Sequence, residues 1–317
     1  MRHVLVTGGA GFIGSHVVDA LLEGGWRVTV LDNFDPFYSE AIKAQNIAGH
    51  ASDTRFALVR GDVRELPLLE RTLPGGYDAI VHLAALAGVR PSIADPLGYA
   101  AVNVLGTQNL LELARRWGVP RFIFASSSSV YGVNPDVPWR EESQALRPIS
   151  PYAGTKVAGE LLGHVYSHLY GMTFLALRFF TVYGPRQRPD LAIHRFARMI
   201  LAGQAIPVFG DGSTRRDYTY VSDIVRGVTA SLDYDGSRFE VINLGNDRTI
   251  TLDEMIAELE RALGVKATIE RLPLQPGDVP QTWASIEKAR TLLGYEPSTP
   301  FAVGVRRFAE WLAAPAT

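Results

Sequence analysis

Two side chains on one predicted helix could together act as a general base. Tyr152 and Lys156 are four residues apart in a segment that opens with Pro151, a residue suited to the first turn of a helix. Positions i and i+4 lie on the same face of a helix, so the two side chains are neighbours. A nearby ammonium favours the phenolate and lowers the pKa of a tyrosine. Such pairs also occur on ordinary helix surfaces, so the interpretation depends on the rest of the chain.

A run of four serines could bind the oxygen atom on which such a base acts. Ser126-Ser127-Ser128-Ser129 stands where a predicted strand leaves its sheet. Ligands of parallel sheets bind at the carboxyl ends of the strands, so a hydroxyl there can hydrogen-bond a reacting oxygen. The alternative is a serine-rich turn that caps the next element.

The first fourteen residues predict the cofactor. An apolar run at residues 4–7 is followed by Gly8, Gly11 and Gly14 and then by a helical pattern. Glycines let the backbone turn sharply and approach a pyrophosphate, which the N–H groups at the start of the helix then bind. Asp32 ends the second apolar run, at the separation where an acid accepts hydrogen bonds from an adenosine ribose.

A carboxylate at Asp32 would repel a 2′-phosphate, so the pattern favours NAD over NADP. The positive nicotinamide ring of oxidised NAD would also favour the Tyr152 phenolate. The glycine pattern thereby supports the general-base interpretation of Tyr152 and Lys156.

The composition indicates a globular enzyme. The 317 residues are 47% hydrophobic and 20% charged, with a formal net charge of −2, which argues against nucleic acid or an anionic membrane as a partner. There is no cysteine, so disulfides and cysteine-ligated metals are excluded, and no metal site is expected. No apolar stretch is as long as a membrane span, and the first strand directly follows Met1-Arg2, so we expect no signal peptide and a cytoplasmic location.

Short apolar runs alternate with helical patterns over the first 180 residues, as is typical of βαβ units around a parallel sheet. Strands are predicted at residues 3–7, 27–32, 56–60, 79–83, 121–126 and 173–179, and helices at 98–117 and 151–170. Two long connections, 33–55 and 132–150, are predicted as surface loops. The fold class is therefore α/β, with a Rossmann-type doubly wound parallel sheet.

The pattern changes at Thr181, where prolines and glycines become frequent. We therefore predict an NAD-binding domain at residues 1–180 and a smaller C-terminal α/β region, mainly for substrate binding, at residues 181–317. Residues 239–246 form a further apolar run that is predicted to return to the sheet, followed by an amphipathic helix at 252–263.

Together these motifs resemble the extended short-chain dehydrogenase/reductase superfamily, and within it the nucleotide-sugar 4-epimerases, along nearly the whole chain. The resemblance implies that Tyr152 is the catalytic base, that Lys156 is its partner, and that Ser127 occupies the catalytic Ser/Thr position. It also implies that Tyr152 and Lys156 contact NAD. The further NAD-binding residues that it implies are Gly8, Gly11, Phe12, Ile13, Gly14, Asp32, Asn33, Asp62, Val63, Leu83, Ala84, Ala85, Asn103 and Phe179.

Seven arginines and no lysine occur between residues 178 and 216, which suggests a local anion pocket. Surface ion pairs are the alternative, above all for Arg195 and Arg198. The resemblance implies a UDP-sugar substrate whose binding residues are Ala87, Arg90, Ser127, Ser128, Thr181, Arg188, Val208, Phe209, Arg216, Gln275 and Asp278. Gln275 departs from the glucose-type epimerases, which often have arginine there and gain one more phosphate contact.

The segments 87–90 and 177–190 are most similar to UDP-glucuronate 4-epimerases, with Thr181 where UDP-glucose epimerases usually have Asn. The implied reaction converts UDP-glucuronate to UDP-galacturonate through a transient 4-keto intermediate. UDP-glucose and UDP-N-acetylglucosamine stay open as substrates, and a net nucleotide-sugar reductase or dehydrogenase as another class.

A dehydratase is disfavoured because the serine run contains neither Asp nor Glu, the acid that such enzymes carry there. A non-catalytic NAD-sensing module is disfavoured because Tyr152 and Lys156 are both present. The two long predicted helices, 98–117 and 151–170, are expected to pair across a homodimer.

Overall fold

A parallel sheet forms the centre of the protein. The computed structural model describes residues 1–143, 146–273 and 279–314. The β-strands within these residues are β1 His3–Thr7, β2 Arg27–Asp32, β3 Phe56–Arg60, β4 Ala79–His82, β5 Arg121–Ser127, β6 Thr173–Phe179, β7 Thr181–Tyr183, β8 Ile206–Phe209, β9 Arg215–Arg216, β10 Tyr218–Tyr220, β11 Phe239–Leu244, β12 Ile250–Thr251 and β13 Ile269–Leu272.

Seven of these strands form the main sheet of the described chain, in the order β11-β6-β5-β4-β1-β2-β3, with every neighbouring pair parallel. The strand order reverses at β1, which lies between β4 and β2. This arrangement confirms the predicted α/β fold with a doubly wound parallel sheet. The other strands pair in twos: β7 with β10 and β8 with β13 in parallel, and β9 with β12 antiparallel.

Helices cover both faces of the sheet. The α-helices of the described residues are α1 Phe12–Glu23, α2 Glu40–Ile47, α3 Leu66–Thr72, α4 Val89–Ala94, α5 Pro96–Ala100, α6 Gly106–Trp117, α7 Pro151–Tyr170, α8 Ala192–Leu201, α9 Val221–Ser231, α10 Leu252–Leu263, α11 Glu287–Leu293 and α12 Phe301–Ala313. None of the helices in the described chain is long and apolar enough to cross a membrane.

Alternate residues of the central strands enter two separate cores. In β1, Val4 and Val6 join the core that contains α1, α9 and the C-terminal helices, whereas Leu5 joins the core that contains α6 and α7. A strand buried on both faces is expected to be rich in apolar residues, and β1 is buried at all five positions with Val4, Leu5 and Val6 at its centre. The hydrophobic effect therefore fixes the sheet between two helical layers.

Local sequence sets the ends of α7, the helix that carries the predicted base. The Ser150 side chain accepts a hydrogen bond from the Ala153 N–H at the N-terminus, and Pro151 occupies the first turn. Gly171 ends the helix in the left-handed conformation, at φ 69°. The helix therefore spans the predicted residues 151–170.

Three segments differ from the sequence-based expectations. The connection 33–55 contains α2 and a 3-10 turn at Ala48–His50. The predicted helix 98–117 is divided, because a π-helical turn at Ala101–Leu105 separates α5 from α6. In the connection 132–150, Trp139 is buried, with 2% of its surface exposed. This segment therefore contributes to the core, whereas a surface loop was predicted.

Gly159 and Gly163 allow α7 to lie close to the sheet. A Cβ atom at Gly163 would overlap the ring of Phe174, and one at Gly159 would overlap the ring of Phe124. The Phe174 ring is fully buried and stacks on Phe122, so it has no room to move aside. This close approach sets the height of the helix above the sheet.

We expect Gly163→Ala to lower the free energy of unfolding by about 1–3 kcal/mol, because the added methyl group overpacks the interface between α7 and β6. Gly154→Ala, on the same helix, is the matched control: its Cβ would meet no atom within 4 Å. That control should raise stability by about 0.5–1 kcal/mol, since alanine favours a helix interior. Urea unfolding of both variants measures the difference, and equal stabilities would contradict this account of the packing.

Candidate active site

One pocket, of about 380 Å³, opens at the carboxyl ends of the central strands, and such a volume is typical of small-molecule sites. Most of the predicted cofactor and catalytic residues line it. These are Gly8, Gly11, Phe12, Ile13, Gly14, Asp32, Asn33, Val63, Leu83, Ala84, Ala85, Ser127, Tyr152, Lys156 and Phe179. Of the predicted substrate residues, Ala87, Thr181 and Arg188 line the same pocket.

The turn between β1 and α1 has the close backbone approach that the glycines predict. Gly8 has φ 71°, which favours glycine, and its carbonyl oxygen accepts a hydrogen bond from the Gly11 N–H at 3.1 Å. A Cβ atom at Gly14 would collide with the same carbonyl oxygen. The turn and the first residues of α1 thus form a cradle that fits a dinucleotide pyrophosphate.

Asp32 is held rigidly at the end of β2. Its carboxylate accepts hydrogen bonds from the N–H groups of Ala10 at 3.0 Å and Phe34 at 2.8 Å. Burial raises the pKa of this carboxyl group, and the two hydrogen bonds and Lys43 oppose that effect. A carboxylate has about four acceptor sites, so Asp32 can also accept hydrogen bonds from ribose hydroxyls. The residues present therefore fit NAD.

Two predicted cofactor residues act from outside the pocket lining. Asp62 accepts a hydrogen bond from the Asn33 amide at 2.9 Å, and hydrogen bonds from Arg64 hold its pKa at about 2. Asn103 accepts from the N–H of Leu86 and donates to the Leu86 carbonyl, both at 2.9 Å, and donates to the Thr155 hydroxyl at 3.0 Å. Asn103 therefore ties a pocket wall to α7.

Ser127, Tyr152 and Lys156 come together where β5 meets α7. Tyr152 lies in the first turn of α7 and hydrogen-bonds with Ser127, the last residue of β5. The Lys156 ammonium donates a hydrogen bond to the Ala125 carbonyl at 2.8 Å and lies 5.8 Å from the centre of the Tyr152 ring. A hydroxyl, a phenol and an ammonium thus surround one reacting position.

The charges around Tyr152 differ from the sequence-based expectation. Burial raises the pKa of Tyr152, whereas the hydrogen bond with Ser127 and the charge of Arg188 lower it. We expected Lys156 to supply the lowering effect, but its ammonium is directed at the Ala125 carbonyl. Burial lowers the pKa of Lys156 to about 8, and the Glu160 carboxylate opposes that shift.

A buried ion pair that the sequence analysis did not identify supports this group. The Glu160 carboxylate accepts hydrogen bonds from Arg178 Nε at 2.9 Å and Nη2 at 2.8 Å, and from the Ser126 hydroxyl at 2.5 Å. Glu160 lies one helical turn after Lys156, and Ser126 directly precedes Ser127. The only sequence signal was an arginine within the apolar strand β6, and that signal does not name its partner.

The arginine-rich segment forms several ion pairs within the chain. Arg178 binds Glu160, and Arg186 binds Asp19 at 2.7 Å. Arg188 binds Asp190, with Nη2 and Nε at 2.8 and 3.0 Å from its two oxygens. Arg188 nevertheless lines the pocket, whereas Arg178 is fully enclosed. The expectation of an anion pocket therefore applies best to Arg188.

The other predicted substrate residues within the described part of the chain do not line this pocket. Arg90 stands over the ring of Phe209 at 5.2 Å, Val208 is buried, and Ser128 opens the short helix Ser128–Tyr131. Arg216 donates a hydrogen bond to the Arg215 carbonyl at 2.8 Å. Gln275 and Asp278 lie outside the described residues. The described residues contain no cluster of His, Asp and Glu that could hold a metal ion.

The fold and the site define an extended short-chain dehydrogenase/reductase. The chain belongs to the GDP-mannose 4,6 dehydratase family, whose model matches residues 5–308. Among similar proteins, the UDP-glucuronate 4-epimerase of Thermodesulfobacterium geofontis is 42% identical over 315 residues, which cover 98% of this chain and 96% of that protein.

Two solved structures are similar along nearly the whole length. The UDP-glucuronic acid 4-epimerase of Bacillus cereus in complex with UDP-glucuronic acid and NAD is 38% identical, covers 98% of this chain and 99% of its own, and superposes with a TM-score of 0.91. The UDP-glucose 4-epimerase of Thermotoga maritima, with UDP-glucose, is 33% identical, with 98% of each chain covered and a TM-score of 0.89. The fold is therefore shared by relatives with different sugars.

Proposed function

We propose that this protein is an NAD-dependent UDP-sugar 4-epimerase that interconverts UDP-glucuronate and UDP-galacturonate. One observation carries the proposal: Ser127, Tyr152 and Lys156 line the same pocket as the glycine turn and Arg188. The similarity to UDP-glucuronate 4-epimerases supports the choice of sugar. The pocket thus unites a redox cofactor site, a proton-transfer group and a cation for a carboxylate.

The residues of this pocket divide the chemistry between them. Bound NAD supplies reversible hydride transfer at C4 of the sugar, by way of a 4-keto sugar. Tyr152, as the phenolate, takes the proton of the C4 hydroxyl and later returns one. Ser127, within hydrogen-bonding distance of Tyr152, orients the same oxygen. Arg188 places positive charge near the phenolate and favours it, whereas the Lys156 ammonium, 5.8 Å from the centre of the Tyr152 ring, donates to the Ala125 carbonyl.

The UDP group keeps the substrate bound while the sugar exposes its other face, and that exchange inverts C4. Binding energy from the distant nucleotide thereby retains a reactive intermediate. In a uronate, the 4-keto sugar is a β-keto acid, which decarboxylates easily. We assign the carboxylate to Arg188, Thr181 and the Ser127 hydroxyl, which line the pocket, together with the adjacent Ser128 hydroxyl, which does not; a firm grip on the carboxylate would prevent its loss.

Dehydration, the reaction in the name of the family model, is disfavoured on chemical grounds. A dehydratase needs an acid beside the catalytic serine to protonate a leaving hydroxyl, and the serine run contains no carboxylate. The Glu160 carboxylate does reach Ser126, but two hydrogen bonds from Arg178 hold it as a buried ion pair. It is therefore not available as a proton donor.

We also propose roles for the other predicted residues and for the two regions of the chain. The cofactor and substrate residues given above keep their proposed roles, with Asp62 and Asn103 acting through Asn33 and Leu86. We assign NAD binding to residues 1–180 with the returning strand β11, and nucleotide-sugar binding mainly to residues 181–317. A cytoplasmic location is proposed as well.

We also propose a homodimer in which α7 forms the interface. Leu161, Val165 and Leu169 recur every four residues on this helix and are 64%, 46% and 60% exposed. Leu97 and Leu105, at the start of the neighbouring helical segment, are exposed too. Apolar residues at this spacing form one stripe, which a second copy of the same helix could cover.

Purified protein without added NAD should convert UDP-glucuronate to UDP-galacturonate, and should leave UDP-glucose and UDP-N-acetylglucosamine unchanged, as followed by chromatography or NMR. Tyr152→Phe should lower the rate by about 10²–10⁴-fold, because the proton acceptor is lost, with its NAD content retained. Conversion of only the neutral sugars would disprove the uronate assignment. A need for added coenzyme would instead favour the reductase or dehydrogenase class.

Arg188→Ala should weaken the binding of UDP-glucuronate by about 10–100-fold, since a hydrogen-bonded charge pair is lost, and should change the binding of UDP-glucose little. Arg195→Ala, an exposed arginine on α8, is the control and should affect neither ligand. Calorimetric titration gives both constants. Equal losses for the two UDP-sugars would rule out a carboxylate-binding role for Arg188.

Replacing both Leu161 and Leu169 with glutamate should convert the dimer to a monomer, because two buried charges would then face their copies across the interface. Leu201→Glu, at an exposed leucine on α8, should leave the dimer intact. Light scattering on a sizing column measures the mass. A wild-type monomer, or a doubly substituted dimer, would refute this interface.

A further inference from the structure

We infer that Tyr38 and Lys43 bind the pyrophosphate of the dinucleotide. Both residues belong to the connection after β2, which the sequence analysis treated as a surface loop, and both line the pocket. The inference rests on the NAD site of the proposed function and adds two ligands to it. Neither residue belongs to the glycine motif or to the catalytic group.

The Tyr38 hydroxyl is a buried polar atom in need of a partner. Within the described residues its buried oxygen has no hydrogen-bond partner. Buried hydroxyls in folded proteins nearly always have a hydrogen-bond partner, so an orphaned one calls for an explanation. A Cβ atom added to Gly11 would lie 3.8 Å from this oxygen. The hydroxyl therefore stands beside the glycine turn, where a phosphate oxygen would accept its hydrogen bond.

Lys43 brings a positive charge to the same place. Only 6% of this residue is exposed, and its ammonium lies 4.6 Å from the centre of the Tyr38 ring. One of its three N–H groups donates to the Asp35 carbonyl at 2.6 Å, which fixes the side chain. A lysine so enclosed loses the hydration of its charge, and a phosphate would restore a partner.

The surrounding charges favour an anion between Lys43 and Arg188. Both cations line the pocket, and they are close enough for Arg188 to lower the pKa of Lys43, in addition to the larger effect of burial. The neighbouring carboxylates have partners of their own: Asp32 accepts from backbone N–H groups, and Asp190 is bound to Arg188. Asp35 accepts from the Phe37 N–H.

Tyr38 and Lys43 approach the pocket on the side of Gly11 and Asp32, which bind the adenosine and pyrophosphate part of a dinucleotide. Arg188 borders both parts of the pocket, because it is close enough to lower the pKa of Lys43 and is also the group that we assign to the sugar carboxylate. Loss of Tyr38 or Lys43 should therefore affect NAD and leave the UDP-sugar largely unaffected.

The test measures NAD affinity on the full-length protein after removal of bound NAD. Tyr38→Phe deletes a single oxygen and should raise the dissociation constant of NAD about tenfold, and Lys43→Met should raise it about 10–100-fold. Tyr77→Phe, at a buried tyrosine away from the pocket, and Lys266→Met, at an exposed lysine, should leave it within about twofold. The melting temperature of each NAD-free variant controls for folding.

Unchanged NAD affinity in Tyr38→Phe and Lys43→Met, alongside normal binding by the wild-type protein, would overturn this inference alone. A loss of UDP-glucuronate affinity without a loss of NAD affinity would overturn it as well. A wild-type protein that binds no NAD would overturn the proposed function and this inference together. If Lys43→Met does not fold, Tyr38→Phe still decides, because it removes no packing atoms.

Discussion

The buried ion pair between Glu160 and Arg178 is the interaction on which the geometry of the site depends. It joins the centre of α7 to β6, and the hydrogen bond from Ser126 joins the same carboxylate to β5. Burying two charges is expensive, and it is tolerated here because the carboxylate has several donors. Removing either partner would leave a buried charge without compensation. In return for this desolvation cost, the ion pair fixes the position of α7 relative to the serine run.

Burial has opposite effects on the pKa values of the two titratable groups to which we assign the proton transfer, Tyr152 and Lys156. It raises the pKa of Tyr152 and lowers the pKa of Lys156, so it disfavours the phenolate and the ammonium alike. Neighbouring groups oppose this effect of burial on each charged form: Ser127 and Arg188 favour the phenolate, and Glu160 favours the ammonium. The ion pair therefore acts twice, because Glu160 both positions α7 and supports the charge of Lys156.

Periodicity and local motifs predicted the elements that local physics determines. The apolar run of β1, the glycine turn after it, and the proline and glycine at the ends of α7 all act over a few residues, and the structure has these elements at the expected positions. The sequence did not predict the partner of Arg178, because Glu160 is 18 residues away and no pattern marks long-range pairs. It also missed α2, since Pro, Asn, Asp and Ser residues within 33–55 favoured a loop there.

The sequence predicted which residues line the pocket better than it predicted which charged groups interact there. Most of the residues assigned to the cofactor line one pocket, since the ends of parallel strands necessarily meet at one edge. The fold of the sheet does not determine in the same way where a lysine side chain is directed. Lys156 is directed at the Ala125 carbonyl, and Asn103 is turned toward Leu86, because each satisfies a polar backbone group. Spacing along a helix predicts on which face of the helix a side chain lies, but it does not predict the hydrogen-bond partner of that side chain.

The ion pair between Arg188 and Asp190 bears directly on sugar selectivity. Two hydrogen bonds to Asp190 already offset the charge of this guanidinium, and its Nη2 also reaches the Ala87 carbonyl at 3.3 Å. A C5 carboxylate must therefore compete with the Asp190 carboxylate, or share the guanidinium with it, whereas a neutral sugar leaves the pair intact. Selectivity then depends on the difference between the affinities of Arg188 for the sugar carboxylate and for the Asp190 carboxylate. With Arg188 in the role that we propose, the preference for a uronate depends on the position of Asp190 as much as on the presence of Arg188.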